Sequence, residues 1–279
     1  MILRDYTKND ESLVKQCLDS LSMDSYSEYT KDSTDGNIIR CYLSEEPHGV
    51  VYEKKDEKAI KFVISFIGDD ISPQDGLMIK NLIMENTQDK KIELVINGYN
   101  KKLLSQLLGV GFLQDYSFLV YEYENTSPYI YENDNLNFKP YTKDHGDDFI
   151  KLLGEAFAPL RKDNDLKPYN WYAANQEIAL KEFTDNAKKD EIYGMWDNGQ
   201  LIGITIVEED DIDILAVSIE HQGKGYGTRM LKYLLDQMIN VKKMPKVYLG
   251  VATTNTGAQK LYKRHGFKEV NKVDYLKHS

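Results

Sequence analysis

Two stretches of the chain repeat one another at a constant offset, and this repeat restricts the fold more than any single segment does. Lys91-Ile92-Glu93-Leu94-Val95-Ile96, Asn100, Leu103, Leu107, Gly111 and Phe112 match Lys246-Val247-Tyr248-Leu249-Gly250-Val251, Asn255, Ala258, Tyr262, Gly266 and Phe267. In each copy an apolar run reads as a strand, and a helix-like run after the asparagine ends at glycine. With 279 residues the chain has room for two domains of ordinary size, so two copies of one fold are the economical expectation. Asn125-Thr126-Ser127-Pro128 has linker chemistry, which puts the expected domains at residues 1–125 and 126–279.

The pattern along the first half is a strand at Ile2 to Tyr6, a helix at Glu11 to Leu21 and a polar loop at Ser22 to Asn37 with one helical turn at most. Strands follow at Ile38 to Leu43, Gly49 to Tyr52 and Lys61 to Ile67, then a helix at Asp75 to Glu85 ahead of the repeated strand and helix. In the second half, Leu136 to Tyr141 is strand-like and Gly146 to Phe157 helical. Ile192 to Trp196 and Leu201 to Val207 form a hairpin around Asp197-Asn198-Gly199, a strong turn signal.

The copies differ just ahead of the repeated unit. In the second, Gln222-Gly223-Lys224-Gly225-Tyr226-Gly227 separates a strand (Ile212 to Ile219) from a helix (Thr228 to Ile239) whose apolar face is Met230, Leu231, Leu234, Leu235, Met238 and Ile239. A glycine-rich turn at a helix N-terminus exposes N–H groups beside the positive end of the helix dipole, which suits an anion such as a pyrophosphate. A plain tight turn is the competing reading. In the first copy the corresponding stretch is Ser72-Pro73-Gln74-Asp75-Gly76. Proline has no N–H to offer and Asp75 adds a negative charge, so this loop is not expected to hold a pyrophosphate.

Composition excludes several classes of function. A formal charge of −10 argues against general nucleic-acid binding, which depends on cationic contacts to phosphates. No run approaches the ~20 apolar residues of a membrane span, and the N-terminus lacks the order of a signal peptide. The expected location is therefore cytoplasmic, in keeping with only two cysteines, Cys17 and Cys41. Neither they nor the five scattered histidines have metal-ligand spacing, so no metal is expected.

The second copy resembles the GNAT superfamily of acyl-CoA-dependent N-acyltransferases. The loop from Gln222 to Gly227 fits the family's signature, and Leu215-Ala216-Val217 before it and Asn255-x-x-Ala258-x-x-x-Tyr262-x-x-x-Gly266-Phe267 after it look like the family's. The resemblance covers Leu215 to Phe267 well and reaches the first half only through the repeat, as a degenerate copy. It implies two tandem α/β (α+β) domains, each a mixed, mostly antiparallel sheet flanked by helices, with two strands splayed apart around acetyl-CoA. By the same resemblance, the backbone of Val217 and Ile219 would pair with the pantetheine arm. The N–H groups of Gly223, Lys224, Gly225, Tyr226, Gly227 and Thr228 would hold the pyrophosphate, with Gln222 in the same cofactor-binding loop, and Asn255 would touch the cofactor arm from the other side.

By the resemblance Tyr262 would be the general acid for the departing thiolate, and core packing beside Phe267 is the competing reading. An ordinary phenol (pKa about 10) protonates a thiolate (about 8.5) only with help from proximity or a lowered pKa. Acidic residues cluster upstream, and Asp211 or Asp213 is the candidate base for a protonated amine; a solvated hairpin turn is the alternative. His221 reads as an exposed turn residue. Phe157 to Asn186, with Tyr169, Trp171 and Tyr172, reads as an acceptor pocket or as packing between domains. The expected activity is transfer of acetyl from acetyl-CoA to an amine of a small molecule or peptide through a ternary complex. A CoA-responsive regulatory module without acceptor chemistry is the alternative, and a homodimer is left open.

Overall fold

The structure is a computed structural model describing residues 1–21, 25–55, 60–85, 87, 91–124, 130 and 137–278. The linker expected at Asn125 to Pro128 lies outside these residues. The chain divides into two compact units, Met1–Val120 with Val270–Ser279, and Tyr121–Glu269.

The first unit contains β1 (Leu3–Asp5), α1 (Glu11–Asp19), α2 (Ser25–Thr34), β2 (Ile38–Glu45), β3 (His48–Lys55), β4 (Ile60–Phe66), α3 (Pro73–Glu85), β5 (Ile92–Asn97) and α4 (Lys101–Gly109), followed by β6 (Leu113–Glu124). Strands β1 to β4 pair antiparallel in chain order, and β4 then pairs parallel with β5 over Ile60↔Ile92 to Ile64↔Ile96. One face buries Phe62, Ile64 and Leu94 under Ile79 of α3 and Leu103 of α4. The other buries Val50 and Tyr52 under Val14, Cys17 and Leu18, the apolar face of α1.

Where the sequence suggested a loop with one helical turn, ten residues form α2. Tyr29 holds it there: it is buried and packs its ring edge-on to Tyr52 at 5.2 Å. Tertiary packing of this kind outweighs a weak helical pattern.

The second unit contains β7 (Asn137–Pro140), α5 (Gly146–Asp163), α6 (Trp171–Ala174), α7 (Gln176–Lys188), β8 (Ile192–Asp197), β9 (Gln200–Glu208), β10 (Asp211–Val217), α8 (Tyr226–Leu235), β11 (Lys246–Ala252) and α9 (Thr256–Arg264). The sheet runs β11-β10-β9-β8-β7, antiparallel except between β10 and β11. Asn198 (φ 47°) and Gly199 (φ 81°) turn the β8–β9 hairpin, as expected for an Asn-Gly pair. Phe149 and Leu153 of α5 and Phe183 of α7 cover one face, on Ile204 and Ile214. Met230 of α8 covers the other, on Met195, Ile202 and Val217.

Helix α5 is longer than the sequence suggested, running on through Pro159 to Asp163. The last strand, β12 (Lys268–His278), pairs antiparallel with β5 from Val273↔Asn97 to His278↔Ile92, and its residues from Val270 onward group with the first unit. The fold is thus α+β, with mixed, mostly antiparallel sheet and helices on both faces. No helix among the described residues is long and apolar enough to cross a membrane.

Both copies of the repeat use their asparagine in one way. Asn100 Oδ1 accepts from Leu103 N–H at 2.9 Å to cap α4, and Asn255 Oδ1 accepts from Ala258 N–H at 3.1 Å to cap α9. The parallel pairs ahead of these helices differ sharply. β4 and β5 stay zipped over five positions, whereas β10 and β11 pair at Asp211↔Tyr248 alone.

Candidate active site

Beyond that single pair β10 and β11 part, and a cleft of about 670 Å³ lies between β10 and the turn and helix α9 that follow β11. Leu215 and Val217 of β10 line it together with Gly223, Gly225, Gly227 and Thr228 of the glycine loop. Asn255, Ala258, Tyr262 and Arg264 line it from the α9 side, and Pro159, Leu160 and Asp163 from the end of α5. The repeat sequence and the glycine loop, separate features in the sequence, are thus brought to one cavity.

Gly223 (φ 74°) and Gly225 (φ 89°) both occupy the left-handed region, and Gly225 caps α8. A Cβ on either would meet no atom within 4 Å. Glycine is required here by backbone conformation, since other L-residues reach this region at a cost of about 1–2 kcal/mol. The result aims the first N–H groups of α8, which have no intrahelical acceptors, at the cleft's loop side. Gln222 folds the loop back on the strand, its Nε2 donating to Val217 O at 3.0 Å. Tyr226 anchors it to the hairpin, with its hydroxyl donating to Asp197 Oδ2 at 3.0 Å.

Ile219, Lys224 and Tyr226 do not line the cleft. Ile219 is half-exposed and faces a separate hollow beside Trp196 and Glu220. Its expected place along the cofactor arm is therefore the weakest of the set. His221 is tied by Nδ1 to Ser218 Oγ at 2.8 Å and packs edge-on against Tyr226, a turn-stabilising role.

Tyr262 is 7% exposed, and its ring lies 5.8 Å from Phe267 and 6.4 Å from Tyr121. It both packs and lines the cleft. Burial, and secondarily the charge of Asp211, push its phenol up to about 12. The lowered pKa that would help it act as an acid is thus not what its surroundings provide. It stays protonated at neutral pH.

Asp211 and Asp213 stand in different surroundings because the pairing of β10 with β9 shifts by one residue between Asp211 and Ile214. Such a bulge breaks the alternation of side chains. Asp211 acts on Tyr262. Asp213 is solvent-exposed yet enclosed by protein on several sides; desolvation, with Glu208 and Glu182, raises its carboxyl to about 6. Glu182 is raised by desolvation and Glu208, and the phenol of the partly buried Tyr172 is raised by desolvation with Asp213 and Glu182. Neither aspartate lines the cleft itself.

The sequence reading missed Arg264, the one cation among the residues lining the cleft. Its position is legible afterwards, since it lies three residues from Leu261, on the same helical face. The stretch from Phe157 onward, read as an acceptor pocket or as packing between domains, begins instead with the end of α5, whose Pro159, Leu160 and Asp163 line this cleft.

Residues 150–267 match the Acetyltransferase (GNAT) family. The spermine/spermidine N(1)-acetyltransferase of Bacillus subtilis is 28% identical over 132 residues, covering 40% of this chain and 87% of that protein. Across the whole chain the fold is similar to the GCN5-related N-acetyltransferase of Sphaerobacter thermophilus, with a TM-score of 0.66, 12% identity and coverage of 99% and 94%. It is also similar to a tandem GNAT protein from the clavulanic acid biosynthesis pathway, with a TM-score of 0.54, 11% identity and coverage of 99% and 97%.

Proposed function

The chain belongs to the GNAT acetyltransferases through residues 150–267, and on that premise we propose that it transfers acetyl from acetyl-CoA directly to a primary amine of a small polycation, both substrates bound together. The observation that carries this reading is the parting of β10 and β11 after one paired position, with the glycine loop opening onto the gap. The polycation is favoured by two features. The Bacillus subtilis relative is named for spermine and spermidine, and Glu182, Glu208 and Asp213 form an acidic group in which desolvation first, and repulsion second, raises the carboxyls of Glu182 and Asp213. A cation arriving there relieves that repulsion.

Acetyl-CoA would supply an activated thioester. The residues that fit it are the N–H groups from Gly223 to Thr228 for the pyrophosphate and the backbone of Val217 for the pantetheine arm. Each charge-assisted bond to phosphate contributes roughly 1.5–3 kcal/mol, so four at the upper end of that range leave about 8 kcal/mol, micromolar binding, after an association cost of about 4 kcal/mol. Arg264 adds positive charge, and Asn255 borders the arm while its side chain caps α9. An N–H near Leu215 or Ala216 is the donor for the oxyanion. Tyr262 donates to the departing thiolate, and Asp213 receives the ammonium proton through water. The full transfer from Tyr262 is uphill by roughly 5 kcal/mol on solution values for the thiol, but the same desolvation that raises the phenol also raises the sulfur's basicity.

In the first unit, Ser72 N–H and Oγ donate to Asp75 Oδ2 at 2.8 and 2.6 Å, and Pro73 opens α3. The helix end that would receive an anion is closed by a carboxylate, and β4 and β5 do not part. We therefore assign no cofactor to the unit of Met1–Val120 with Val270–Ser279, and the chemistry to Tyr121–Glu269.

The test is acetyl transfer to a panel of polyamines, neutral monoamines and peptides, with products read by mass spectrometry. Polyamines are expected to be preferred. CoA binding without transfer to any amine would instead identify the regulatory module.

A pH dependence follows from Asp213. As a base it works when ionised, so kcat/KM falls about tenfold per pH unit below its value of about 6. Asp213→Asn removes that limb and lowers the plateau by roughly 10²-fold. Stability moves the other way. A carboxyl raised in the folded state favours folding most at low pH and disfavours it as pH climbs through about 6. At pH 7.5 Asp213→Asn is therefore expected to raise Tm while activity drops; a fall in both would remove Asp213 as the base.

A further inference from the structure

One side chain bridges two sides of the cleft. Asn164 caps α5 and is nine-tenths buried. Its Nδ2 donates both to Leu160 O and, 90 residues along the chain, to Thr254 Oγ1, each at 2.8 Å. Leu160 and Thr254 line the cleft themselves, one from α5 and the other from the turn between β11 and α9.

Each side is organised so that this bond matters. On the α5 side, Pro159 has no N–H for the carbonyl of Glu155, so the last turn is held less firmly by the helix itself. On the other side, Asn255 N–H donates to Ala252 O, and Gln259 Nε2 donates to Ala252 O and Thr253 O. That turn is internally tied to α9 and moves with it, Tyr262 included.

We propose that Asn164 is a positioning residue, latching the end of α5 to the β11–α9 turn through Thr254 and so fixing the width of the cleft around the cofactor arm. The proposal rests on the reading that this cleft takes acetyl-CoA. Asn164 touches no reacting atom; it acts through the placement of Thr254, Asn255 and Leu160. An opened latch lets the walls drift, and bound cofactor must then reorder them at the expense of affinity.

Thr254→Val is the decisive variant, because it keeps the shape of an exposed residue and removes only the hydroxyl, leaving the Asn164 cap on Leu160 O intact. It is expected to raise KM for acetyl-CoA roughly three- to tenfold while kcat changes less than about twofold. Thr254→Ser, which keeps the hydroxyl, returns KM to the wild-type value. Asn164→Ala raises KM at least as much, and Asn164→Ala with Thr254→Val is no worse than Asn164→Ala alone, as two ends of one bond require. Hydrogen exchange on the protein without any ligand provides the independent arm. Backbone amides from Asn255 to Ala258 should exchange faster in Thr254→Val than in wild type or Thr254→Ser.

Unchanged exchange overturns the latch itself. Faster exchange with unchanged KM shows that the bond orders the turn without positioning the cofactor, and also overturns the proposal. Wild-type protein that does not bind acetyl-CoA defeats the underlying reading, and the exchange result separates that failure from failure of the latch.

Discussion

Gly225→Pro is expected to weaken acetyl-CoA binding by roughly 10²–10⁴-fold in a chain that still folds. The wild-type residue sits at φ 89° as the cap of α8, and proline is fixed near −65°. The loop must therefore take another path, and the N–H groups it presents turn away from the phosphates. Loss of two such bonds at about 1.5–3 kcal/mol each gives the stated range. The substitution also places at Gly225 the residue that the first copy has at Pro73. Folding is spared major damage because the site around Gly225 is open to added atoms, and strain of this kind costs of order 1–3 kcal/mol. Gly225→Ala, strained but still carrying its N–H, should fall between the two. Titration calorimetry with CoA measures the effect, and wild-type affinity in Gly225→Pro would remove the loop from the binding site.

Tyr262→Phe is expected to lower kcat by about 10²–10³-fold with KM for acetyl-CoA within about threefold. General acid groups contribute in this range, and an interaction made only as the thiolate departs shows in kcat. The ring's contacts with Phe267 and Tyr121 survive the change, so Tm should stay close to wild type. The phenol is held neutral to about pH 12, so the wild-type profile should show no inflection from Tyr262 between pH 7 and 9. A Tyr262→Phe enzyme retaining at least a third of wild-type kcat would leave Tyr262 a packing residue only.

Much of the fold was legible where one sequence pattern implied one structure. The helix at Thr256 to Arg264 was bounded by an asparagine cap and a following glycine, and it falls at those residues. Asn198-Gly199 fixed the β8–β9 hairpin in the same way. The repeat is visible in the matching caps at Asn100 and Asn255.

What stayed hidden depends on contacts distant in sequence. Residues of α2 form a helix although their own pattern is polar and weak, with Tyr29 seated on Tyr52. The shift in β10 that gives Asp211 and Asp213 different neighbours is set by pairing with β9, so two equivalent candidates in the sequence become a neighbour of Tyr262 and a member of an acidic group. Asn164 carried no signal at all, because its partner Thr254 lies in another element. Nor did the sequence reveal that the parallel strands zip in one copy and part in the other, which is the difference that opens the cleft in the second copy.

That difference is tested most directly by the stoichiometry of CoA binding to the full chain, measured by titration calorimetry on wild type and Gly225→Pro. A single CoA per chain, lost in Gly225→Pro, is the predicted result. A second CoA that persists in Gly225→Pro, or none in wild type, would contradict it.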